Sequence, residues 1–156
     1  LRTFSAKALL VATGMTRRKL KVPGEEEFLR KGIFYGNIQE LSFVENEPAA
    51  VIGGGNSALQ IVENLGPLAK DIHLVSTTEL TADRSIIDRV TCLPNVQVFE
   101  NYQVTEFAGD KNLRSLTIRK KASAETITLP AKGAFVAIGL EPNSSLVTQL
   151  VERNQR

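Results

Sequence analysis

Apolar positions along this chain change period from one stretch to the next, and the changes mark its elements. Residues 8–12 (ALLVA) form a short unbroken apolar run ending in Thr13-Gly14, the pattern of a buried strand and its exit. Residues 15–48 are less regular, with Pro23-Gly24 signalling a turn and Glu25-Glu26-Glu27 the start of a short helix. Residues 49–52 (AAVI) predict a second buried strand. From Ser57 onward Ala58, Leu59, Ile61, Val62 and Leu65 recur at helical spacing, and Gly66-Pro67 supplies the stop. Residues 72–75 (IHLV) predict a third strand, completing a β-α-β unit with glycines at its first turn.

The second half changes character. Residues 96–99, 104–107, 113–119 and 126–129 alternate or cluster β-formers between turn signals, which predicts an antiparallel meander. Residues 134–138 (AFVAI) then repeat the opening pattern, a buried strand running into Gly139. The predicted fold class is α/β: a Rossmann-like domain with a central parallel sheet, flanking helices and a β-meander.

Composition narrows the function. With 156 residues, 42% hydrophobic and 23% charged, the chain has a globular profile and the size to bury a core. No apolar run reaches the roughly 18 residues of a membrane span, and the first residues lack the layout of a signal peptide. The net charge is +2, and the basic clusters Arg17-Arg18-Lys19 with Lys21 and Arg119-Lys120-Lys121 carry no interleaved aromatics. They read as solvated faces rather than a nucleic-acid surface, so neither nucleic acid nor membrane is an expected partner. Cys92 is the single cysteine, which excludes an internal disulfide and suits a reducing, cytoplasmic setting. It reads as a small buried apolar residue, not a catalytic thiol. His73 reads as a partly buried strand residue rather than a base.

Candidate chemistry lies in the glycines. Gly53-x-Gly55-x-x-Ala58 matches the dinucleotide fingerprint in its G-x-G-x-x-A form. The first glycine makes the strand-to-helix turn, the second lets a pyrophosphate reach the backbone, and Ala58 lets the helix pack on the strand. Gly54, Asn56 and Ser57 complete the loop, and free amides at the helix start face the phosphates. The fingerprint also expects an acid at the end of the second strand to grip the ribose. Here stand Ser76, Thr77 and Thr78, with Arg84 a little beyond. Hydroxyls can donate to a 2′-phosphate, so the set leans toward NADP over NAD.

Five stretches, "AKALLVATG" (6–14), "VPGEEEFLRKGI" (22–33), "VIGGGNSA" (51–58), "LTAD" (80–83) and "FVAIGLEPN" (135–143), occur in this order over nearly the whole chain. In them the sequence resembles the pyridine-nucleotide domain of the low-molecular-weight thioredoxin reductase family, including the flavoprotein partner of alkyl hydroperoxide reductase. The resemblance implies one NAD(P)H-binding domain, its core at about residues 14–139. Residues 1–13 and 140–156 would be connections toward an FAD-binding domain of a longer, homodimeric protein, and Ile138 and Gly139 would join the cofactor-binding set. The chain alone is expected to bind a pyridine dinucleotide, to carry no FAD and to turn nothing over. In the longer protein hydride would pass from NAD(P)H to FAD. Two features depart from the family pattern. Gly36 and Gln39 occupy the positions of the family's two cysteines while Glu40 keeps the acid, and Ser76-Thr77-Thr78 matches neither family solution for the cofactor's ribose. A redox protein is then one possible acceptor. A ferredoxin–NADP reductase of the same architecture and a non-catalytic nucleotide-sensing or assembly module are the alternatives.

Overall fold

A computed structural model of the chain describes residues 2–36 and 38–149, with the side chains of 38–40 outside that description. The chain divides into two compact units, residues 19–138 and the pair of segments 1–18 and 139–156. The larger unit is built on a five-stranded, wholly parallel sheet. Its strands are β2 (Ile33–Tyr35), β3 (Ala49–Ile52), β4 (Ile72–Ser76), β5 (Val96–Glu100) and β9 (Gly133–Val136), in the order β2-β9-β3-β4-β5.

Alternation within the strands sends side chains to two cores. Ala49, Val51, Ile72, Leu74 and Phe135 face helix α1 (Asn56–Leu65), helix α2 (Arg84–Thr91) and the 3-10 segment Ile38–Val44. Ala50, Ile52, Val75, Ala134 and Val136 face the three-stranded antiparallel meander of β6 (Tyr102–Gly109), β7 (Leu113–Lys120) and β8 (Thr126–Pro130). Helix α1 buries Ala58, Leu59, Ile61, Val62 and Leu65, the five positions its periodicity marks, and Gly66 caps its end. The predicted α/β class with a parallel sheet, flanking helices and a meander is borne out.

Several local expectations are corrected. Residues 8–12 form no strand; Leu9 and Leu10 are exposed, and without a ladder partner an apolar run has no reason to stay extended. The expected helix at Glu25 is a run of turns, because Glu25 turns inward to accept backbone amides instead of starting a helix. Residues 96–99 belong to the parallel sheet, pairing with β4, rather than to the meander. Strand β2 and helix α2 were not expected. Cys92 is exposed at the end of α2, not buried.

In the smaller unit β1 (Met15–Arg17) pairs antiparallel with β10 (Leu140–Pro142). Asn143 fastens the pair: its side chain donates to the Thr13 carbonyl at 3.0 Å and accepts from the Thr16 hydroxyl at 2.6 Å. Among the described residues no helix is long and apolar enough to cross a membrane.

Candidate functional site

The chain proceeds outward from β3 through β4 to β5, while β9 and β2 flank the other side of β3. In open α/β sheets such a change of direction leaves a crevice beyond the carboxyl ends of the strands, where ligands bind. The glycines occupy that end of β3. Gly53 adopts φ +138°, a conformation that side chains rarely take, and donates its amide to the Val75 carbonyl at 2.9 Å. A Cβ on Gly53 would collide with the Ala137 carbonyl, and one on Gly54 with the Ser76 hydroxyl. Gly55 differs. Its backbone is ordinary, and a Cβ there would meet only the Thr81 hydroxyl at 4.0 Å. The first glycine is required by the fold; the third borders open space.

Helix α1 starts at this loop without a side-chain cap. Its first internal bonds run from the Ala58 and Leu59 amides to the Gly55 carbonyl, so the Asn56 and Ser57 amides have no carbonyl one turn behind them. Uncapped first-turn amides, together with the helix dipole, favour an anion. Ala58 is fully buried where α1 meets the sheet.

Ser76 is only 3% exposed, its hydroxyl tucked against Gly54 and accepting from the Thr78 amide at 3.4 Å. It supports the loop from beneath, and the solvent-facing hydroxyls at this strand end are those of Thr77 and Thr78. Thr78 donates to the Glu79 carbonyl at 2.9 Å. Arg84 opens α2, highly exposed and paired with Asp88 at 2.9 Å. Ile138 is half-buried against the meander-side core. Gly139 belongs to the smaller unit, with φ +96° and its carbonyl accepting from the Arg18 amide at 3.2 Å. The structure therefore gathers Gly53, Gly54, Gly55, Asn56, Ser57, Ala58 and Ser76 around one loop.

Sequence reading missed three contributors, Thr81, Ala82 and Asp83. Thr81 and Ala82 donate their amides to the Gly54 carbonyl at 2.8 and 3.1 Å. Asp83 and Asn56 exchange hydrogen bonds across 27 residues of sequence. Only the "LTAD" stretch hinted at these.

Gly36 and Gln39, which the resemblance aligns with the family's cysteines, stand apart from this loop in sequence; Asn37 and the side chains of Gln39 and Glu40 lie outside the described residues. Among the described residues no cluster of His, Cys, Asp and Glu could hold a metal ion.

His73 lies towards the other end of β4, beside a depression of about 220 Å³ lined by Asp71, Asn95 and Gln97 among others. Both imidazole nitrogens are buried without a partner, and the ring meets Phe99 edge-on. Burial holds its pKa below the ordinary 6.5, opposed by the nearby Asp71 carboxylate. The unfolded chain therefore takes up the proton first as pH falls. The resulting stability is complete above about pH 6.5 and is lost progressively below it. His73→Phe should flatten this part of the acid slope. The check is thermal unfolding of both proteins at pH 5 and 8, where parallel slopes would contradict it.

A family description, pyridine nucleotide-disulphide oxidoreductase, matches residues 1–156. The chain belongs to this family. A subunit of the alkyl hydroperoxide reductase of Staphylococcus aureus is 35% identical over 154 residues, covering 98% of this chain and 30% of that protein. The Staphylococcus epidermidis protein of the same name is 34% identical over the same span. Among solved structures, Lactococcus lactis thioredoxin reductase in its FR conformation superposes with a TM-score of 0.81 at 27% identity. That match covers 88% of this chain and 46% of the other. Thioredoxin reductase from T. acidophilum gives 0.80 at 25%, covering 85% and 44%. The family resemblance read from the motifs is borne out. The chain spans 30% of these curated relatives and under half of these solved reductases.

Proposed function

We propose that the loop from Gly53 to Ala58 binds the pyrophosphate of a pyridine dinucleotide. Residues of about 14–139 would then act as the NAD(P)H-binding domain of a flavin-dependent oxidoreductase. The single observation that carries this is the uncapped start of α1 beside open space at Gly55, at the carboxyl edge of the parallel sheet. Membership of the pyridine nucleotide-disulphide family supports it. In a longer protein the nicotinamide would deliver hydride to an FAD held by another domain, each cofactor supplying its own chemistry and this chain the grip and orientation. Residues 1–13 and 140–156 would lead to that domain. The exposed apolar side chains of Leu9, Leu10 and Leu140 in the smaller unit support this role. Since the sequence has one cysteine and none at the dithiol positions, electrons would leave the flavin for an acceptor other than a disulfide in this segment, such as a redox protein.

Cofactor choice falls to Thr77, Thr78 and Arg84, because Ser76 is buried. A hydrogen bond from a neutral hydroxyl to a phosphate contributes roughly 1.5–3 kcal/mol, less where water competes. Arg84 is already engaged with Asp88. NADPH is therefore expected to bind more tightly than NADH by at most about tenfold, or about 1.4 kcal/mol. Calorimetric titration of the chain with each cofactor tests both parts. One dinucleotide bound per chain is the expected result. Silence with both cofactors at millimolar concentration would refute the site, and a hundredfold preference for NADH would refute the role of the hydroxyls.

A further inference from the structure

Two adjacent glycines pose a mechanical problem. The peptide joining Gly54 to Gly55 has no Cβ on either side, so little steric resistance stops it from rotating. A trans peptide carries its carbonyl and its amide on opposite sides. Rotation would swing the Gly55 N–H away from whatever the loop binds, so an outside element must hold the peptide. The structure shows one. The Gly54 carbonyl accepts from the Thr81 amide at 2.8 Å and the Ala82 amide at 3.1 Å, with the Thr81 hydroxyl at 3.4 Å. This directs the Gly55 N–H to the side away from residues 81–82.

The segment 81–82 is itself tied down at the next residue. The Asp83 amide donates to the Asn56 side-chain oxygen at 2.8 Å, and the Asn56 amide group returns a bond to the Asp83 carboxylate at 3.0 Å. Asp83 precedes α2 in the place where a carboxylate ordinarily caps its own helix, yet it makes no such cap. Asn56, the first residue of α1, has its carboxamide turned to Asp83. Each side chain joins the two helix starts instead of serving its own.

We propose that the side chains of Asn56 and Asp83 have a positioning role, a reciprocal clamp that fixes the Gly54–Gly55 peptide for phosphate binding without themselves touching the dinucleotide. This rests on the dinucleotide site proposed above.

Exchange of the pair separates positioning from other roles. N56D sets two carboxylates against each other, whereas N56D/D83N restores one amide, one carboxylate and the wild-type charge. Affinities for NADPH and NADH would be measured by calorimetry on the whole chain, with thermal unfolding and the Gly55 amide resonance followed without cofactor. N56D is expected to weaken both cofactors at least tenfold and equally, to leave their ratio unchanged and to move the Gly55 resonance. N56D/D83N should return affinity to within about threefold of wild type and bring the resonance back, while the melting temperatures stay within a few degrees. An affinity indifferent to N56D, a loss the double variant does not restore, or a Gly55 resonance blind to both would overturn the clamp. If N56D unfolds the chain, D83N and the double variant decide, because an amide at 83 can still accept from the Asn56 carboxamide: full affinity in D83N with none in the double variant would reject reciprocity. A wild-type chain that binds neither cofactor refutes the dinucleotide site instead, and the Gly55 resonance still judges the clamp.

Discussion

Replacing Gly55 with valine should weaken dinucleotide binding at least a hundredfold, about 2.7 kcal/mol, and leave the melting temperature almost unchanged. Gly53→Val should act on the fold instead and lower the melting temperature sharply. The difference lies in what each missing side chain would meet. At Gly55 the backbone is extended, with φ −93° and ψ 177°, and a Cβ would come only to 4.0 Å from the Thr81 hydroxyl. The fold therefore tolerates a side chain there. A phosphate seated on the Asn56 and Ser57 amides would not, since the branched side chain stands where it must approach. At Gly53 the φ of +138° is strained for any side chain, and the obstacle is the Ala137 carbonyl, part of the backbone that leaves β9. Strain and collision together should cost at least about 3 kcal/mol. Calorimetry and thermal melts on both variants check this. A Gly55→Val protein with wild-type affinity would mean that the phosphates lie elsewhere. One that loses binding and stability together would mean that the third glycine serves the fold.

What the sequence disclosed depended on how local the cause was. The glycine turn and α1 were legible because their determinants are neighbours: Gly53 to Ala58, then Leu59, Ile61, Val62 and Leu65 at helical spacing. Strand β2 is three residues long, too short for a period to show. Helix α2 buries only Val90 fully, so its apolar stripe is faint among Arg84, Asp88 and Arg89. Strand β5 misled for a physical reason. It lies at the edge of the parallel sheet, so its residues are mostly half-covered or exposed, and its pattern mimics an antiparallel strand. The run at 8–12 misled because apolar composition reads the same whether or not the described chain covers it, and here it leaves Leu9 and Leu10 exposed. The bonds from Thr81, Ala82 and Asp83 to the glycine loop span more than 20 residues of sequence, and no pairwise periodicity encodes them. The burial of Ser76 is of the same kind, since it depends on where Gly54 comes to rest.

A second large loss of stability should come from Glu25→Ala, far in sequence from the glycine loop. Glu25 is 3% exposed, a carboxylate inside the fold. Its oxygens accept from the Leu20 amide at 3.0 Å, the Lys21 amide at 2.5 Å and the Val22 amide at 3.4 Å, and from the Tyr35 hydroxyl. Lys21 takes a left-handed φ of +59°, which helps turn successive amides inward toward one anion. Burial, and then the bond to Glu25, push the Tyr35 phenol well above its ordinary range, so it remains a donor at any working pH. The same turn receives the Phe107 amide on the Pro23 carbonyl at 3.0 Å, joining this cluster to β6 and the core beneath the sheet. Alanine would leave the amides and a phenol without their acceptor, each buried donor costing about 1–3 kcal/mol. Water entering the space would recover part of that, which puts the expected loss at about 3–5 kcal/mol, or roughly 6–20 °C in melting temperature for a chain of this size. Glu25→Gln keeps one acceptor oxygen but turns an NH2 toward amide donors, so it should fall between alanine and wild type. Tyr35→Phe removes a single donor and leaves the carboxylate its backbone partners, so it should cost only about 1 kcal/mol. Denaturant unfolding of the three variants tests the order. If Tyr35→Phe matched or exceeded Glu25→Ala, the phenol rather than the backbone amides would be what holds the turn.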